Sequence, residues 1–456
     1  MENPFFLQPA GTALLFKRVK VDTVNLEPGM FVAQLDRPWL ETPFFFQGFE
    51  IRQPDEIGLL RKFCKHVYVD VERSSVPKER VLEAHNSIRR EYDPFQRDGR
   101  TQPAASASGL GYRLLSALAR FDPTGRLAGR ASGVRRYQNL VSTRDEAPKA
   151  AHAYGLAMDA MDQVLKRIYQ GKGIDVLRVK RAAAPIVDSI LRNQDAMAWL
   201  VSTRKNDDYT YNHSIASAIW AVILGRHLGF DRSALQTLAM GGLLLDVGKA
   251  CVEPAIVDKA TPLTAEEQQQ MRKHVEYSTE LARRAPGIND QILNMISAHH
   301  ERHDGSGYPR GLAGNDIPVF GRIAGLVDSY DAMITTRAHV TAMSPYDAIR
   351  ELNLLAGTKF QKELVEQFVQ ALGMFPTGSI VELNTGEIGI VVEQNRVHRL
   401  RPKVLVVLDA QRHPVGRSKP VDLKRRSSDP NKRNALWIVQ GCESGAFGID
   451  PGAYFK

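Results

Sequence analysis

The sequence predicts a multidomain, mainly α protein: a central helical bundle with a small β-rich domain at each end. Three observations carry this expectation. The chain has 456 residues, more than one core ordinarily organises, so roughly two to four units are expected. From Glu146 to about Met374 apolar residues recur at three- and four-residue intervals, as they do on helices with a buried face. On either side the pattern changes to short alternating runs broken by Gly, Pro and Asn, as in strands and turns.

Residues 12–75 read as the first β-rich module, broken at Pro28-Gly29 and Pro43, with Phe44, Phe45, Phe46 and Phe49 clustered near its middle. Residues 76–145 shift toward Ser, Ala, Gly and Arg, as in Gln102-Pro-Ala-Ala-Ser-Ala-Ser-Gly109, and are expected to form a flexible linker. The helical domain is placed at 146–374, with its core at about 200–374. Its first helix carries Leu156, Met158, Met161, Val164, Leu165 and Ile168, recurring at three- and four-residue intervals, and should stop at Gly171-Lys172-Gly173; a second runs from Val176 to about Leu200. Further helices follow between Asn212 and Leu372, separated by Gly229, Pro262, Pro286-Gly287 and Pro345. Alternating runs return at Gly378–Leu383, Gly386–Val392 and Val404–Leu408, giving a C-terminal β domain over 375–425. Residues 426–456 read as a polar tail with one apolar patch, Leu436–Val439.

The formal charge is +9, and the segment from Arg396 to Arg433, with twelve Lys and Arg against three Asp, carries an equal excess. A solvated basic edge of a small domain accounts for such a segment, so nucleic acid is not expected as a partner. Cys64, Cys251 and Cys442 lack metal-type spacing and no basic-then-apolar leader opens the chain. A reducing, cytoplasmic setting without disulfides is therefore expected. The apolar run from Ile215 to Gly225 is eleven residues, short of the ~20 that a membrane span needs, and reads as a buried helix.

The chemistry concentrates in six dispersed side chains: His213, Asp246, His274, His299, His300 and Asp328, separated by 33, 28, 25, 1 and 28 residues. Such spacings put most of them on different helices of one bundle, converging on its interior, unlike the short loops of structural zinc sites. Taken singly each has a bland role: Asp246 could cap a turn, and Asp328 could pair with Arg337. The adjacent imidazoles His299-His300, ahead of a glycine-broken turn, have few purely structural uses.

Together, Asp246-Val-Gly-Lys249, His299-His-Glu301, Gly307-Tyr-Pro309, Arg310-Gly-Leu312, Asp316-Ile-Pro318 and Asp328-Ser-Tyr-Asp-Ala332 resemble the HD-GYP family over roughly Tyr209 to Phe375. The stretch Leu26–Val32 with Val67–Asp70 resembles a module often found ahead of such domains. The resemblance implies an HD-type helical bundle and a metal-dependent phosphodiesterase that opens cyclic di-GMP to pGpG or GMP. It makes the six side chains metal ligands, Asp246 the bridge between two ions, and Asp246 with Lys249 the catalytic pair, Lys249 sitting near the scissile phosphate. Gly307, Tyr308, Pro309, Asp331 and Arg337 fall where the family meets the nucleotide. Two divalent ions, Fe, Mn, Ni or Zn, are implied, together with cyclic di-GMP, diguanylate cyclases or other signalling proteins, and a second copy of the chain as partners.

The sequence departs from the family at Leu245, which stands where the His of the His-Asp pair belongs. An isobutyl group has no lone pair, so one ion loses a donor and a single-ion site becomes possible. Two readings stay open: a phosphodiesterase impaired at this position, or a degenerate domain that binds cyclic di-GMP or signalling partners without hydrolysis.

Overall fold

The computed structural model describes residues 18–36, 49–51, 54–86, 137–203, 209–335, 342–395, 400–416, 420–426, 435–443 and 445–454, and the chain divides into two units, 1–109 and 110–456.

In the first unit, strands β1 (Arg18–Asp22), β2 (Phe31–Leu35), β3 (Phe49–Glu50) and β4 (His66–Asp70) make an antiparallel sheet in the order β1-β4-β2-β3. Alternation puts Val19, Val21, Val67 and Val69 on one buried face. Helices α1 (Pro54–Phe63) and α2 (Lys78–Asn86) add Ile57, Leu60, Val81 and Ala84 to the same core. Helix α2 thus lies inside the segment expected to be a linker. Its buried residues, Val81 and Ala84, are too few to register as a helical period. Residues 87–136 of that expected linker fall outside the described residues, as do 12–17 of the predicted module and three of its clustered phenylalanines, Phe44, Phe45 and Phe46.

The second unit begins with the long helix α3 (Thr143–Tyr169), three residues earlier than expected because Ser142 caps it, its hydroxyl accepting from the Asp145 amide. It ends at Gly171 and Gly173, whose φ angles of 70° and 69° suit glycine. There follow α4 (Val176–Arg192), α5 (Gln194–Thr203), α6 (Tyr209–His227) and α7 (Arg232–Leu244). Beyond a 3-10 turn at Val247–Cys251 come α8 (Pro254–Val257), α9 (Ala265–Arg272), α10 (His274–Arg284) and α11 (Asp290–Ala298). The bundle closes with α12 (Val319–Ile334), α13 (Pro345–Leu354) and α14 (Lys362–Leu372). Short polar side chains start many of these helices: Asp175, Asp231, Thr264, Asn289 and Ser344 each accept a backbone N–H of the first turn.

Helix α6 is the axis of the bundle. Residues 212–226 are all buried, so the apolar run is a core helix, and no helix among the described residues is long and apolar enough to cross a membrane. Gly242 lets α7 approach closely, since a Cβ there would lie 2.4 Å from Ala218 Cα. Trp220, Tyr330 and Phe368 pack edge to face at 5.4 and 5.1 Å, tying α6, α12 and α14 together.

Strands β5 (Ile380–Leu383), β6 (Ile388–Glu393), β7 (Lys403–Leu408), β8 (Pro420–Asp422) and β9 (Ile438–Cys442) form an antiparallel sheet in the order β8-β7-β6-β5-β9. The expected polar tail is therefore corrected: its apolar patch opens β9, which pairs along β5 and covers what would otherwise be an open edge. Farther on, Ile449 is buried beside Ile380, Ile388, Ile390 and Val407. Trp199 of α5 enters this same core, fully buried.

Candidate metal centre and active site

The fold delivers the six predicted ligands from separate elements to one place. His213 comes from α6, Asp246 from the end of α7, His274 from the first residue of α10, His299 and His300 from the residues after α11, and Asp328 from α12. They fall into two groups, His274-His299-His300 and His213-Asp246-Asp328, each with ligand atoms within 4.8 Å of one another.

Asp246 joins the groups through its two oxygens. Oδ1 lies 3.3 Å from His274 Nε2 and 4.0 Å from His299 Nε2, while Oδ2 lies 3.8 Å from His213 Nε2 and 2.8 Å from Lys249 Nζ. Burial favours the neutral acid, but the charges of Lys249, His274 and His213 win and hold this carboxyl far below its usual range. Burial opposes ionisation of Asp328 too, and is outweighed by the hydrogen bond and charge of His213.

His213 is gripped on both nitrogens: Nδ1 is 2.8 Å from Asp331 and Nε2 is 2.8 Å from Asp328. Burial pushes its pKa down, yet the two carboxylates raise it to about 9. The other imidazoles go the opposite way. Burial lowers His274 to about 4 and also lowers His299 and His300.

The donor set fits divalent cations. His274 Nδ1 donates to the Met271 carbonyl and His299 Nδ1 to the Ile296 carbonyl, each at 2.6 Å, which turns both Nε2 atoms inward, 3.4 Å apart. Asp246 Oδ1 is buried in the midst of these nitrogens without a hydrogen-bond partner. Lone pairs converging on an unsatisfied carboxylate oxygen are what a cation would neutralise.

The glycine-broken loop lies against this centre. Its Tyr308 ring stacks on His300 at 4.6 Å, and the Tyr308 N–H donates to the His300 carbonyl at 3.1 Å. A Cβ at Gly307 would meet Arg302 N and Glu301 Cα at 2.4 Å and His300 O at 2.5 Å, so only glycine lets the loop fold back this tightly. Pro309 follows through a cis peptide bond.

One side chain differs from expectation. Asp331, expected at the nucleotide, lies behind His213 and is fully buried, its other oxygen accepting from Trp220 Nε1 at 3.1 Å. Both oxygens of this carboxylate are thus engaged, one by His213 and one by Trp220. Arg337 lies outside the described residues. Two contributors were missed: Trp220, and Glu301, whose buried carboxylate accepts the backbone N–H groups of Arg310 and Leu312 at 2.8 and 2.9 Å and anchors the loop. The acid beside the paired histidines was visible in the sequence, but its partners were not. Leu245 is 1% exposed at the end of α7.

Comparison with known proteins bears on this geometry. The HD domain family matches residues 195–364, a domain of unknown function matches 18–179, and a KOW domain associated with HD domains matches 380–428. A cyclic di-GMP phosphodiesterase of Pseudomonas aeruginosa is 27% identical over 414 residues, covering 90% of each chain. Residues 195–364 form an HD domain of the HD-GYP kind. Two other relatives match over shorter spans. A 3'3'-cGAMP-specific phosphodiesterase of Vibrio cholerae is 34% identical over 154 residues, 34% of this chain and 30% of that one. A cyclic di-GMP phosphodiesterase of Thermotoga maritima is 31% identical over 168 residues, 36% of this chain and 45% of that one.

Proposed function

We propose that this HD-GYP domain is a metal-dependent phosphodiesterase that adds water across one phosphodiester of cyclic di-GMP, releasing linear pGpG and on further cleavage GMP. The observation that carries the reading is Asp246, whose two oxygens face two different ligand groups, the arrangement a bridging carboxylate needs. The near-full-length likeness to a cyclic di-GMP phosphodiesterase supports the choice of substrate. Bound divalent cations would supply Lewis acidity at the phosphoryl oxygens and lower the pKa of water. Fe, Mn, Ni and Zn all suit a mixed imidazole and carboxylate shell. The chain itself contributes the Nε2 atoms of His274 and His299, already aimed inward, and His213, oriented by Asp331. Lys249, paired with Asp246, adds positive charge where the transferring phosphoryl group becomes more anionic. Tyr308 and the loop held by Glu301 wall one side of the pocket.

A second reading is favoured by Leu245, an apolar side chain buried next to the bridging acid: a domain that binds the nucleotide and does not cleave it. The test is incubation of the full chain, loaded with Mn under anaerobic conditions, with cyclic di-GMP and separately with 3'3'-cGAMP. The proposal expects pGpG from the first, faster than any product from the second. Binding without cleavage at full metal occupancy establishes the second reading, and neither binding nor cleavage sinks both.

A further inference from the structure

Arg272 is the last residue of α9, two positions before His274, and its guanidinium carbon lies 4.8 Å from the centroid of the Tyr308 ring. The same ring stacks on His300, so the exposed arginine is tied by direct contacts to the wall of the metal centre. Among the described residues Arg272 forms no ion pair, whereas Lys249 is committed to Asp246 at 2.8 Å. A guanidinium held against an aromatic ring keeps forked N–H donors for an oxyanion and loses little freedom on using them.

A cyclic dinucleotide carries two phosphodiesters, and only one can lie at the metal ligands while it is cleaved. The other is an anion left at the mouth of the pocket. Resting on the phosphodiesterase reading above, we infer that Arg272 binds this second, uncleaved phosphodiester and so selects cyclic dinucleotides over substrates with a single phosphate diester. A basic residue at a helix C-terminus also favours the helix dipole, but that role requires neither a fork nor a contact with Tyr308.

The experiment compares Arg272→Ala and Arg272→Lys in the full, Mn-loaded chain, with metal content measured for each. Kinetics are read on cyclic di-GMP and on bis(p-nitrophenyl) phosphate, and cyclic di-GMP affinity by calorimetry. Arg272→Ala is expected to raise both KM and the dissociation constant for cyclic di-GMP about tenfold or more, with a smaller change in kcat and an undiminished metal load. The loss on cyclic di-GMP should exceed that on the single diester by a similar factor. Lysine should restore only part of it. Three results overturn the inference: unchanged affinity in Arg272→Ala, equal losses on both substrates, or full restoration by lysine, which assigns the arginine to the helix end. A wild-type chain that neither binds nor cleaves cyclic di-GMP overturns the underlying reading as well.

Discussion

At the scale of single residues, the proposed function turns on the pair Leu245 and Asp246. Leu245→His returns an imidazole beside the bridging acid, and we expect bound Mn per chain and the rate of cyclic di-GMP hydrolysis to rise together; metal analysis and a product assay check this. Asp246→Ala removes the atoms shared by both ligand groups, and hydrolysis should fall below detection. Behind them, Asp331→Asn should weaken metal affinity by about 10- to 100-fold, the usual effect of disturbing a ligand's orienting partner. The chelated protein should show two pH limbs. The folded pKa of His213 is about 9 against an ordinary 6.5, so its stabilisation is complete below 6.5 and disappears as pH climbs through 9. His274, lowered to about 4, has the reverse sign: stability is lost as pH drops from 6.5 toward 4. Tm should therefore decline on both sides, and Asp331→Asn should flatten only the alkaline limb. The six dispersed ligand candidates were legible as a set only through the resemblance carried by their motifs, since each alone has a bland structural role. Asp331's place behind His213 was not, because the two are 118 residues apart and no local pattern links them.

At the scale of elements, the loop after α11 works as a shaped wall held by backbone contacts. Gly307→Ala forces a methyl against three backbone atoms, so kcat/KM should drop by about tenfold or more, while Tm changes by no more than about 4 °C because the bundle core is untouched. A change confined to Tm would show that the loop does not shape the pocket. The stop of α3 could be read from its glycines, and breaks between later helices from Gly229 and Pro345, since these are local chemistry. Helix α2 and strand β9 escaped that reading. Each is short and shows its apolar face only against a partner distant in sequence, which for β9 is β5.

At the scale of the molecule, the C-terminal sheet and the helical bundle share buried side chains. Ending the chain after Arg425 removes β9 and Ile449, and the product should melt several degrees lower as Trp199 meets water. An unchanged melt would make the last strand dispensable. The division into helical centre and β ends was legible because the two periodicities differ along the chain, but the sharing of a core between them had no signature in either. It also bears on how the protein can be dissected. Phe368, which packs on Tyr330, lies beyond residue 364, where the matched HD segment stops, and Trp199 leans on side chains farther still. The smallest fragment that keeps its shape is thus longer than the piece kinship recognises, and gene trimming guided by homology borders alone would yield a catalytic remnant with its own supports cut away.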